Sequence, residues 1–271
     1  MTKDELLAAR YGANAIPAAG PWNDTIAVLL QHRSIRGYRS DPLPPGTLET
    51  LIAAAQSAAT SSNMQTWSVI AVSDPRIKAD IAKCSQEQKQ IEQCPLFLAW
   101  IADLSRAERL GRTEGVKLDA LRFFETFLVA SIDAALAAQN AVVAAESLGL
   151  STVYIGAMRN DVRRIAEILA LPKGTLGVFG LCVGYADPDA PSEIKPRLAQ
   201  GAILHRERYR VPDEAALRRD YDAKLAAFSK RNEMVNDTWT ERVKSRLGSA
   251  AALRGRDRLR AHLNELGFPL D

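Results

Sequence analysis

After Pro45 the apolar positions fall into helical step, with Leu48, Leu51, Ile52 and Ala55 at i, i+3, i+4 and i+7. This spacing predicts an amphipathic helix that opens at Pro44-Pro45, where early N–H groups need no partner, and fades near Ala58. Small hydroxyl residues then take over in Thr60-Ser61-Ser62-Asn63, a loop by composition. Residues 67–72 form a β-prone apolar run, and Asp74-Pro75 offers an N-cap and first-turn proline for a helix reaching Cys84. Residues 96–102 are too apolar for an exposed strand, and a short charged helix covers 105–111. The longest apolar block is 123–150. Its stripe of mostly small residues (Phe127, Ala130, Ser131, Ala134, Ala138, Ala141, Val142, Ala145, Leu148) predicts a central helix stopped by Gly149. An extended piece at 153–157, a helix at 162–170 capped by Asp161, and a strand at 175–185 follow. Gly177, Gly180 and Gly184 in that strand imply bulges or close backbone approach. A helix over 214–230 precedes forty helical, basic residues. Upstream, residues 3–10 and 24–31 read as short helices, and 11–23, broken by Gly and Pro, as a loose arm. Alternating strands and helices give α/β or α+β by pattern alone.

Composition narrows the class. A chain of 271 residues with 47% hydrophobic and 25% charged residues is that of a soluble globular protein with a sizeable core. No domain linker is visible, so the organisation expected is an N-terminal arm, 1–23, and one domain, 24–271, with a helical C-terminal extension. The net charge of +3 is too small to imply nucleic acid, and Arg254, Arg256, Arg258 and Arg260 alternate rather than share a helical face. Three scattered cysteines lack metal-like spacing and suit reduced thiols in the cytoplasm. Met1 to Leu7 has no apolar signal region, and no run approaches 18 apolar residues, so neither secretion nor a membrane span is expected.

The candidate chemistry is basic and hydrogen-bonding. His32-Arg33-Ser34-Ile35-Arg36 carries two guanidinium groups, whose planar forks match phosphate oxygens. If it is extended, Arg33 and Arg36 diverge. Lys195-Pro196-Arg197 puts two more cations on a stiff, non-helical piece. Composition alone permits a solvated basic turn at either place. There is no G-x-G-x-x-G after a strand, P-loop, G-x-S-x-G or H-E-x-x-H, so hydrolytic and phosphoryl-transfer chemistry have no candidate residues.

Five segments in order are similar to motifs of the nitroreductase family of flavoproteins, nearest its NADPH-dependent, oxygen-insensitive nitroreductase and flavin reductase branch. They are His32-Arg33-Ser34-Ile35-Arg36; Ala59 through Gln65; Gln88-Lys89; Ala138-Gln139-Asn140 through Gly149-Leu150, with Val153-Tyr154-Ile155-Gly156 just after; and Lys195-Pro196-Arg197. The resemblance implies an α+β fold with a central mixed, mostly antiparallel sheet flanked by helices in an intertwined homodimer. It implies FMN at the dimer interface, its phosphate held by Arg33 and Arg197 with Ser34 assisting. His32, Arg36, Gln88 and Lys195 would contact phosphate, ribityl chain or ring edge, with Lys195 or Arg36 opposing negative charge near N1 and O2. Tyr154, Ile155, Gly156 and Ala157 would line the ring by backbone. Here Gly156-Ala157 stands where relatives commonly have two glycines. Thr60, Ser61 and Ser62 would come from the other subunit.

The implied activity passes two electrons by a ping-pong route from NADPH, or NADH, through FMN to nitroaromatics, quinones or free flavins, with no obligatory protein acid or base. A reductase dedicated to a monooxygenase and a non-catalytic flavin-binding redox sensor are the alternatives. Lys230 and Arg231, before Asp237-Thr238-Trp239, are the implied ligands of the NADPH 2′-phosphate, although Val235-Asn236 stands where close relatives show arginines.

Overall fold

The structure is a computed structural model describing residues 1–13, 20–190, 192–235 and 238–271. In chain order its α-helices are α1 Lys3–Tyr11, α2 Asp24–Gln31, α3 Thr47–Gln56, α4 Pro75–Cys84, α5 Lys89–Gln93, α6 Ser105–Glu114, α7 Phe124–Ser147, α8 Val162–Ile168, α9 Glu214–Arg231, α10 Trp239–Leu247 and α11 Leu259–Glu265. The strands are β1 Trp67–Val72, β2 Leu96–Asp103, β3 Ser151–Ile155 and β4 Thr175–Gly184. The chain forms two compact units, Met1–Arg33 with Pro191–Leu253, and Ser34–Ala190 with Arg254–Asp271.

The second unit is built on a sheet of order β1-β2-β4-β3, antiparallel at every pairing of these strands. Its parallel component is the isolated bridge between Ser34 and Thr152. Every residue of β2 is buried, which explains its near-continuous apolar sequence. Alternate β2 side chains reach opposite faces. Leu96, Leu98 and Trp100 pack with Leu51, Ala55 and the alanines of α7, while Phe97, Ala99 and Ile101 pack with Ile81, Met158 and Ile165. The β4 glycines answer to this packing. A Cβ at Gly180 would stand 2.1 Å from the Phe97 ring, and a bulge sets Trp100 opposite Phe179 but Ile101 opposite Gly177, skipping Val178.

Among the described residues, helix α7 is long and apolar enough by length and composition alone to cross a membrane, a test that a core helix also passes. The physical reason is its alanine-rich make-up, with Ala130, Ala134, Ala137, Ala138, Ala141 and Ala145 buried. The small face meets α3 and the sheet; Phe124, Leu128, Ile132 and Leu136 form an exposed ladder.

The other unit gathers α1, α2, α9 and α10. Tyr221, Leu225 and Phe228 of α9 form its core, with Leu198, Met234 and Trp239 against them. A capping box between Thr2 and Glu5 starts α1, which buries Leu6 and Arg10. The reading of 11–23 as an arm falls partly on residues 14–19, outside the described residues.

Three local expectations change. Gly46, with φ 81°, rather than either proline, is the N-cap of α3. Gly156 and Ala157 belong to a 3-10 turn, Gly156–Asp161, instead of continuing β3. Residues 250–258 are 3-10 turns, since Arg254 and Gly255, with φ of 53° and 89°, break any helix there.

Candidate functional site

Lys195, Pro196 and Arg197 lie on a strap fixed from several sides within its own unit. Arg33 Nη1 donates to the Ser192 carbonyl and hydroxyl, both at 3.3 Å. Arg231 grips Glu193 through Nε and Nη2, the latter at 2.9 Å. The Tyr221 hydroxyl donates to the Pro196 carbonyl at 3.0 Å. Lys195 Nζ lies 5.7 Å from the Phe228 ring centroid, a cation–π contact, and the Arg197 guanidinium donates to the Lys195 and Pro196 carbonyls. Beside the strap is a cavity of about 670 Å³, lined in part by Arg33, Glu193, Lys224, Phe228 and Arg231. The Arg231 hydrogen bond holds the Glu193 carboxyl below its ordinary pKa. Lys230 is exposed, and the Asp237 and Asn236 landmarks lie outside the described residues.

In the other unit Ser34 bridges Thr152, and the Ile35 N–H donates to the Thr152 carbonyl at 3.0 Å. Extension at this point is set by Ile35, which is buried while Ser34 and Arg36 stay exposed. Gln88 is half-buried; its amide donates to the Ser85 carbonyl and its oxygen accepts from Gln90. One N–H and one lone pair of that amide remain beyond these two bonds. Tyr154 packs edge-on against Phe179 and donates to Gln139 at 3.3 Å, and burial pushes its phenol pKa up.

Thr60, Ser61 and Ser62 form a strained turn. Ser62, Asn63 and Gln65 all have positive φ. Asp133, buried on α7, holds the turn by accepting from Thr60, the Ser61 N–H and Thr66.

Sequence reasoning missed Asp133, Arg159 and Arg10. Arg159 donates to the Val178 carbonyl at the β4 bulge, and its guanidinium packs against Gly156, where a Cβ would stand 3.4 Å away. Burial, then Arg256, depresses its pKa. Arg254, read from sequence as solvated helix surface, donates to Gln86 instead. A signal existed for Asp133, a carboxylate inside the longest apolar block, and for Arg10, four residues after Leu6 on one helical face. The reach of Arg159 to the bulge had none.

The nitroreductase family model matches residues 29–185, and the model of the family's C-terminal domain matches 195–271. A protein named FMN reductase (NADPH) from Bacillus subtilis is 37% identical over 226 residues, covering 82% of this chain and 90% of that one. The oxygen-insensitive NADPH nitroreductase of Salmonella typhimurium is 35% identical with the same coverages. Among solved structures, B. megaterium NfrA2 superposes with a TM-score of 0.84 at 36% identity, covering 92% of this chain and all of that one. With both family regions matched and relatives above 30% identity across four-fifths of its length, this chain belongs to the nitroreductase family.

Proposed function

We propose that the protein is an FMN-dependent NAD(P)H oxidoreductase, NADPH preferred, acting on small flat acceptors. The observation that carries this reading is the strap that presents Lys195 and Arg197, held in one unit with the Arg33 side chain on Ser192. Relatives named for NADPH-dependent FMN reduction, nitroreduction and flavin reduction support it; one named FMN reductase [NAD(P)H] keeps NADH open.

The donor set suits FMN. Arg33 and Arg197 supply forked donors for a dianionic phosphate, with Ser34 adding a hydroxyl. Gln88 offers both donor and acceptor to a pyrimidine edge. Gly156 would offer its backbone to a flat ring, while the Arg159 guanidinium covers its Cβ side. FMN held there would supply the redox chemistry, two-electron transfer between NADPH and a second acceptor. Lys195 or Arg36 would supply a cation that opposes negative charge on the reduced ring. Tyr154, Ile155, Gly156 and Ala157 flank the ring, His32 adds a polar contact, and solvent supplies protons. Lys230 and Arg231 receive the 2′-phosphate of NADPH, the latter after release from Glu193.

The working form proposed is a homodimer, with Thr60, Ser61 and Ser62 contributed across the two-fold axis. The exposed ladder Phe124, Leu128, Ile132 and Leu136 on the helix that holds this turn supports it. Free thiols at Cys84, Cys94 and Cys182 suit the cytoplasm.

The test is a visible spectrum of the purified protein, then anaerobic NADPH or NADH. Flavin bands that bleach with dinucleotide and return with nitrofurazone or a quinone are expected. A protein that neither takes up FMN nor oxidises either dinucleotide would refute the reading.

A further inference from the structure

We propose that Arg10 is a positioning residue that holds the two segments implied in FMN phosphate binding in one frame, making α1 part of the cofactor site rather than an arm. The inference rests on the FMN reading above. Arg10 is 5% exposed. Its Nη1 donates to the Lys195 carbonyl at 2.9 Å and its Nη2 to the His32 carbonyl at 2.6 Å. Its own carbonyl accepts from the Arg197 N–H at 2.8 Å. One residue thus ties the peptide just before Arg33 to both ends of Lys195-Pro196-Arg197.

The chemistry selects arginine. A planar guanidinium offers divergent N–H groups that reach two carbonyls at once, whereas an ammonium on a flexible stem is a single point donor. Lying in the last turn of α1, the cation also meets the negative end of that helix. Helix α1 is anchored independently, by fully buried Leu6 and by the Thr2–Glu5 capping box. The matched family regions contain His32, Arg33 and Lys195 to Arg197 but begin at residue 29, so α1 lies outside them. Arg10 therefore acts from outside the matched region on segments inside it. Holding two charged segments before the ligand arrives spares binding the cost of ordering them.

The experiment measures the FMN dissociation constant of apoprotein by fluorescence quenching, alongside the apoprotein melting temperature. The variants are Arg10→Gln, Arg10→Lys and, as a control on α1 packing, Leu6→Ala. Both Arg10 variants should weaken FMN about tenfold, the scale of one lost charge-assisted hydrogen bond. Arg10→Lys should do so although it keeps the charge and disturbs folding least. Leu6→Ala should lower the melting temperature more and leave FMN affinity near that of the wild type. Affinity that merely tracks melting temperature across the three, or that is unchanged in the Arg10 variants, would overturn the positioning role while leaving FMN binding intact. Wild-type protein that binds no FMN would instead refute the parent reading, and this proposal with it.

Discussion

The Thr60 hydroxyl donates to Asp133 Oδ2 at 2.5 Å, and Asp133 Oδ1 accepts from the Ser61 N–H at 3.1 Å. A buried carboxylate on α7 thereby holds a turn in which Ser62 has φ of 50° and Asn63 of 55°. Positive φ at such residues costs on the order of 1 kcal/mol each, so the turn keeps its shape only while something over-determines it. Asp133→Asn should lower unfolding stability by about 1–3 kcal/mol, since a neutral amide withdraws the charged acceptor shared by the Thr60 and Thr66 hydroxyls and the Ser61 N–H. Urea unfolding checks this. Dimer dissociation, followed by analytical ultracentrifugation, should rise in parallel if the turn crosses the two-fold axis.

Arg33 and Arg197 carry the proposed phosphate contacts. Charge-assisted hydrogen bonds are worth about 1.5–3 kcal/mol, so Arg33→Ala or Arg197→Ala should raise the FMN dissociation constant by roughly ten- to a hundredfold. Riboflavin, without the phosphate, should lose far less. Equal losses for both ligands would remove these residues from the phosphate.

Much of the fold was legible because its signals are local. Asp74 and Pro75 start α4 as N-cap and first residue, Asp161 caps α8, and Gly149, with φ of 76°, follows the end of α7. The glycines of β4 also told their story, although not that Phe97 fills the space at Gly180. What stayed hidden depends on contacts distant in sequence. Arg10 and Lys195 are 185 residues apart, and Thr60 and Asp133 are 73 apart. Residues 254–258 looked helical by composition, yet left-handed backbone at Arg254 and Gly255 carries the chain past Asn160, whose carbonyl lies 2.8 Å from where a Cβ on Gly255 would be. Composition reports preference; it does not report which partner wins.

Gly180→Ala tests the tightest of these contacts. Its Cβ would stand 2.1 Å from Phe97 Cζ and 3.0 Å from the Met158 sulfur, inside a fully buried region. The ring or the strand must shift, and overpacking of this kind costs about 1–3 kcal/mol. The melting temperature should fall, and Phe97→Leu should recover part of the loss by making room. Additive losses in the double variant would show that the ring is not what the methyl meets.

Glu193 and Arg231 link stability, pH and dinucleotide choice. The Arg231 hydrogen bond lowers the folded carboxyl pKa below its ordinary 4.5. A lowered folded pKa means that the pair's stabilisation is fully present above the unfolded value and is lost as pH falls through the folded one. Wild type should therefore lose a small increment below pH about 4.5, and Glu193→Gln should not. Both partners are exposed, so the increment is about 0–1 kcal/mol and should shrink in high salt. The same substitution frees the Arg231 fork. If Arg231 receives the 2′-phosphate, Glu193→Gln should lower KM for NADPH and leave KM for NADH unchanged. Lys230→Ala with Arg231→Ala should do the reverse, raising KM for NADPH more than for NADH. Equal changes for the two dinucleotides would leave Arg231 as a fastener of the strap and nothing more.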